Sequence, residues 1–94
     1  MEQWKTIRGF PNHQVSNYGN VREITQTKPV AFHLNKNGYP QIVLKSHFGK
    51  DIYLKIHQLV GKLFCYKPKE LKNPTLDHKN MDKLDCSAGN LEWV

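Results

Sequence analysis

Thr75-Leu76-Asp77-His78 and Asn90-Leu91-Glu92-Trp93-Val94, separated by the polar run from Lys79 to Gly89, set how the chain closes. Leu76 anchors a short strand that ends at Asp77 and His78. Leu91 and Trp93, two positions apart, fall on one face of a second strand, because successive side chains of a strand alternate between faces. The run between them is dominated by Lys, Asn, Asp and Gly and is read as a loop. Strand, loop and strand therefore close the chain as a terminal β-hairpin, with Asn90 brought back toward His78.

Upstream of this hairpin the period changes. Ile56, Leu59, Val60, Leu63 and Phe64 recur at i, i+3, i+4, i+7 and i+8, one apolar stripe of a helix. The spacing predicts a helix near residues 56–66, which Pro68 forbids from continuing, and Lys67 to Pro74 becomes a basic connector. Before Ile56 the pattern is that of short strands. Trp4 to Ile7 is a first run, ended by Gly9-Phe10-Pro11-Asn12; Ser16-Asn17-Tyr18-Gly19-Asn20 is a turn leading into the half-buried alternation of Val21-Arg22-Glu23-Ile24. Asn35-Lys36-Asn37-Gly38 carries the Asn-Gly signal of a tight hairpin, Tyr39 to Lys45 follows as a strand, and Phe48 to Asp51 reverses the chain into Ile52 to Ile56. The expected class is α+β: a small antiparallel sheet, one amphipathic helix and a C-terminal hairpin, with Trp4 and Trp93 in the core.

At 94 residues the chain has room for one small domain that buries only about 60 to 65 per cent of its unfolded surface. Fourteen Lys and Arg against eight Asp and Glu give a formal charge of +6, spread from Lys5 to Lys83, which suits a polyanionic partner. Cys65 and Cys86 are too far apart for a CxxC pair, and neither a signal peptide nor an apolar run long enough to span a membrane occurs. The expectation is a cytoplasmic protein with two packing thiols and no membrane partner.

Trp4-Lys5-Thr6-Ile7-Arg8-Gly9-Phe10 and Gln14-Val15-Ser16-Asn17-Tyr18-Gly19-Asn20-Val21, followed by Ile56-His57-Gln58-Leu59-Val60, Phe64, Leu76-Asp77-His78-Lys79-Asn80 and Asn90-Leu91-Glu92-Trp93-Val94, stand in one register over essentially the whole chain. In this the chain resembles the HNH homing endonucleases of phages and introns. The resemblance implies a DNA-contacting sheet module over residues 1–55 and a nuclease core over 56–94, packed as one unit. It implies that His78 is the general base, that Asp77 holds a Mg²⁺ or Mn²⁺ ion on the scissile phosphate, and that Asn90 braces the loop carrying His78. These roles agree with the chemistry: an imidazole with an ordinary pKa near 6.5 accepts a proton from water, and a carboxylate is a hard ligand for a hard cation. Arg22, Lys36, Lys45, Lys55, Lys79 and Lys83 are the expected contacts to double-stranded DNA. His57, at the start of the helix, is expected to pack or cap it.

Two departures qualify the resemblance. The loop from Lys79 to Cys86 lacks the Gly and Asn richness of the family, and Asp77 is the one hard ligand read beside His78, the family's further ligand falling in a helix beyond Val94, so that Mg²⁺ or Mn²⁺ is expected to bind weakly, with millimolar or poorer affinity, and cleavage is expected only where the site is completed. Three readings follow: a DNA-cleaving enzyme whose polypeptide continues past Val94, a remnant that binds DNA without cutting, and a phage-encoded remnant that binds a host protein such as a nucleic-acid enzyme.

Overall fold

The N-terminal half folds as hairpins wherever glycine permits a tight reversal. In the computed structural model, which describes residues 1–25 and 29–94, β1 (Trp4–Ile7), β2 (Phe10–Ser16) and β3 (Val21–Glu23) form one antiparallel three-stranded sheet in that order. β4 (His33–Leu34), β5 (Pro40–Lys45) and β6 (Asp51–Lys55) form a second, so the single sheet expected from the alternation is two. The first reversal is shorter than expected. Gly9, at φ 86°, lets the chain turn at Arg8-Gly9, and Phe10 to Asn12 belong to β2.

Both sheets turn apolar faces inward onto α1 (Ile56–Phe64). Ile7, Val15 and Val21 from the first sheet, Ile42 and Leu44 from the second, Ile56 and Val60 from α1, and Cys86 and Leu91 from the C-terminal segment form one continuous core. The helix ends at Phe64, short of residue 66, because Cys65 is already extended and packs its thiol toward the carbonyls of Ala88 and Leu91. Lys5 Nζ donates to the Leu63 carbonyl at 2.7 Å and caps that end.

Trp4 lies elsewhere than expected. The β1–β2 register gives it the outer face of the first sheet, where it is half-buried and the Arg22 guanidinium lies 4.0 Å from its ring. Trp93, by contrast, is buried and donates from Nε1 to the Gly61 carbonyl at 3.2 Å. Beyond the connector, β7 (Leu76–His78) and β8 (Leu91–Trp93) pair antiparallel, joined through a 3₁₀ turn at Ala88–Asn90. The architecture is α+β. Among the described residues, no helix is long and apolar enough to cross a membrane.

Candidate active site

The terminal hairpin positions the candidate site residues Asp77, His78 and Asn90. Its register sets Leu76 opposite Trp93, Asp77 opposite Glu92 and His78 opposite Leu91. Leu91 and Trp93 turn inward and Glu92 outward, as the alternation of a strand requires. Asp77 is likewise exposed, so two carboxylates stand across from each other on the open face of the hairpin, while His78 lies on the buried side. Like charges directly opposite in a ladder repel. Among the described residues neither carboxylate has a salt-bridge partner, the one ion pair being Lys45 with Asp51.

Asn90 joins the two ends of the loop. Its carbonyl accepts from the Lys79 amide at 2.7 Å, and its Oδ1 accepts from the Asn80 amide at 3.1 Å. Its Nδ2 donates to Asn80 Oδ1 and to the Asp85 carbonyl, each at 2.9 Å. The Met81 amide donates to the His78 carbonyl at 3.0 Å, and Met81 takes a positive φ of 63° to make that turn. Farther along, the Ser87 hydroxyl and amide hold the Asp85 carboxyl below its ordinary value, with Asn80 assisting.

His78 is buried against two other rings. His57 of α1 lies at a centroid distance of 5.0 Å and Tyr39, just before β5, at 6.0 Å; Tyr39 also stacks on His57 at 5.0 Å. Burial foremost, then the neighbouring His78 and Lys55, pushes His57 down to about 4 from 6.5. His57 thus packs and stays uncharged at neutral pH. Nδ1 of His57 and Nε2 of His78 are both buried without a hydrogen-bond partner among the described residues.

The basic residues divide into two groups. Lys36, Lys45, Lys55 and Lys79 are exposed; Lys45 and Lys55 project with Gln41, Val43 and Tyr53 from the outer face of the second sheet, Lys45 beside Asp51. Arg22, half-buried, and Lys83, exposed like the first four, also make contacts within the protein. Arg22 covers Trp4 and donates from Nε to Gln14 Oε1 at 3.0 Å, while Lys83 donates from Nζ to the Asn37 carbonyl at 2.9 Å and lies 4.8 Å from the Tyr39 ring centroid. The thiols are free and serve packing: burial pushes Cys86 up to about 11, and its Sγ donates to the Lys83 carbonyl.

Sequence reasoning overlooked Glu92, Tyr39 and the full environment of His57. For Glu92 a signal existed: once Asn90 is set opposite Lys79, counting back along an antiparallel ladder brings Glu92 opposite Asp77. Asp77 therefore shares the open face of the hairpin with a second carboxylate. No comparable signal joins Tyr39 to His57, since they come from different elements.

Behind a two-sheet module, the hairpin thus carries an outward carboxylate pair, a buried histidine and an asparagine tying the intervening loop. Residues 2–45 match the model of the NUMOD4 motif. An uncharacterized HNH endonuclease of Acanthamoeba polyphaga mimivirus is 41% identical over 98 residues, covering 99% of this chain and 24% of the viral protein. The H-N-H endonuclease F-TflII of Escherichia phage T5 is 31% identical over 91 residues, covering 97% of this chain and 47% of its own length. The solved structure of the HNH homing endonuclease I-HmuI, reported for DNA binding and cleavage, superposes with a TM-score of 0.84 and 35% identity over 98% of this chain and 52% of that one. Over nearly its whole length the chain is thus similar to HNH endonucleases, the homing endonuclease I-HmuI among them. It spans about a quarter of the mimivirus protein and about half of the phage protein and of I-HmuI.

Proposed function

We propose that this chain binds double-stranded DNA and contributes the hydrolytic centre of an HNH endonuclease. The observation that carries the reading is the Asn90-braced hairpin, which exposes the facing Asp77 and Glu92 on one side of the ladder and carries His78, the next residue of β7, on the other. A phosphodiester repels nucleophiles, so hydrolysis needs an activated water and positive charge at the phosphate. His78 takes the proton from water. Asp77, with Glu92 facing it across the ladder, would hold the divalent cation; two exposed carboxylates without a salt-bridge partner among the described residues fit Mg²⁺, which binds through one or two carboxylates together with waters and substrate phosphate. Mg²⁺ or Mn²⁺, when bound, supplies charge to the scissile phosphate and the departing 3′ oxygen. Asn90 keeps the loop from moving away from His78.

Lys36, Lys45, Lys55 and Lys79 meet phosphates, and the outer face of β4–β5–β6 enters a groove with Gln41 and Tyr53 toward the bases. Arg22 and Lys83 serve the fold instead. The solved relative's reported DNA binding favours a DNA partner over a host protein.

Relaxation of supercoiled plasmid in Mg²⁺ or Mn²⁺ tests the reaction. The expected result is nicking by the wild type and none by His78→Ala or Asp77→Asn, with all three shifting DNA in a gel. If wild type and His78→Ala are equally inert while both still bind, the chain is a DNA-binding module without catalysis. Four phosphate contacts give a log–log salt slope of about −3 to −4, and Lys45→Gln with Lys55→Gln lowers its magnitude by about 2. Salt-independent association, or no association at low salt, would remove DNA as the partner.

A further inference from the structure

In the ring cluster of Tyr39, His57 and His78, the reaction above uses His78 alone and leaves Tyr39 and His57 without a role. His78 is the last residue of a three-residue strand and leads into a loop whose next residues are exposed. Its buried Nε2 has no hydrogen-bond partner among the described residues, so at that end no polar contact holds the imidazole in one orientation. Packing must supply what hydrogen bonding does not. The His57 ring lies 5.0 Å away at an interplanar angle of 49°, and the Tyr39 ring 6.0 Å away at 36°.

Those two rings are themselves held. His57 is 5% exposed and belongs to α1, which is rooted in the core through Ile56 and Val60. Tyr39 stacks on it at 30°, its amide is fixed by Asn35 Oδ1 at 3.0 Å, and the Lys83 ammonium lies 4.8 Å from its ring centroid. Lys83 belongs to the loop that follows His78, and its bond to the Asn37 carbonyl fastens that loop to the β4–β5 turn. The cluster thus joins three separate segments at the one side chain that must be aimed.

We propose that His57, backed by Tyr39, is a positioning residue that holds the His78 imidazole in the single rotamer needed to meet the attacking water. The proposal rests on His78 acting as the base. An uncharged ring at position 57 suits the task, because it adds no positive charge beside a group that must accept a proton. The contact is one of shape, so a planar apolar substitute should serve and a truncation should not. Misplacement of a reacting group by about 1 Å costs on the order of 100-fold in rate.

The test uses the chain without DNA or metal and measures the three-bond couplings across χ1 of His78, which report rotamer averaging and are insensitive to ring-current shifts. Wild type and His57→Phe are expected to show one rotamer, and His57→Ala averaged couplings in a chain that remains folded. Should His57→Ala fail to fold, Tyr39→Ala decides by the same measurement. Wild-type couplings in the folded truncation, or averaging in His57→Phe equal to that in His57→Ala, would overturn the proposal. In plasmid nicking, His57→Ala should lower kcat by about 10- to 100-fold, leave KM within about 2-fold, and be largely rescued by His57→Phe; an effect on KM alone counts against positioning. If His78→Ala nicks as well as wild type, the functional reading fails, while the couplings still decide whether the rings hold His78.

Discussion

Replacing Gly61 by Ala sets two well-measured effects against each other. Gly61 lies within α1, and in an open helix the change would stabilise by about 1 kcal/mol, since glycine has the greater backbone freedom to lose. Here the helix lies directly on the hairpin. A Cβ at Gly61 would overlap Leu76 Cδ2 and stand 2.9 Å from Cδ1 and 3.2 Å from Cγ, so the whole Leu76 side chain must move. Leu76 precedes Asp77 in β7, and the Gly61 carbonyl accepts the Trp93 indole from β8, which leaves little room for the hairpin to retreat. Overpacking of this kind costs roughly 1 to 3 kcal/mol, so the net change is a loss of about 0 to 2 kcal/mol. Urea unfolding followed by tryptophan fluorescence should show a lower midpoint for Gly61→Ala, by up to about 1 to 2 M at a slope near 1 kcal/mol/M. With Leu76→Ala already in place the obstacle is gone, and the same substitution should stabilise by up to about 1 kcal/mol. A higher midpoint in the wild-type background, or an identical change in both backgrounds, would refute the close helix–hairpin contact as the reason for glycine.

Three further outcomes are expected. Asn90→Ala removes the side-chain bonds to Asn80 and to the Asp85 carbonyl and should destabilise by about 1 to 3 kcal/mol, with faster hydrogen exchange at the Asn80 amide; unchanged exchange there would show that the loop does not depend on Asn90. Because His57 is pushed down to about 4 in the folded chain from an ordinary 6.5, the unfolded chain binds the extra proton between those values; stability should fall as pH drops from about 6.5 to 4, by on the order of 3 kcal/mol. Thermal unfolding across that range should show the loss in wild type and a flatter profile in His57→Phe. Finally, with cation affinity in the millimolar range, about 10 mM Mg²⁺ should stabilise the wild type by roughly 1 kcal/mol and raise Tm by a few degrees, while Asp77→Asn and Glu92→Gln show less; equal shifts in all three would place the cation elsewhere.

What could be read directly from the residues was whatever depends on near neighbours along the chain. The stripe from Ile56 to Phe64 announces α1 because a helix brings i, i+3 and i+4 together whatever surrounds it. The Asn-Gly turn at Asn37-Gly38 and the alternation at Leu91 and Trp93 are equally local, and the Asp77-His78 pair with Asn90 marked out the candidate site because both ends of a hairpin loop are bound to meet. Tertiary docking decided the rest. Whether Trp4 faces the core or the Arg22 guanidinium depends on which face of the first sheet α1 covers, and its own strand is too short to say. That Lys83 bonds the Asn37 carbonyl depends on how the loop after His78 settles against the β4–β5 turn. The pairing of Asp77 with Glu92 needed a register, and the meeting of Tyr39, His57 and His78 needed three distant segments to pack on one core. Periodicity records the faces an element offers; the volume and shape of the other elements determine which face is covered and what it touches.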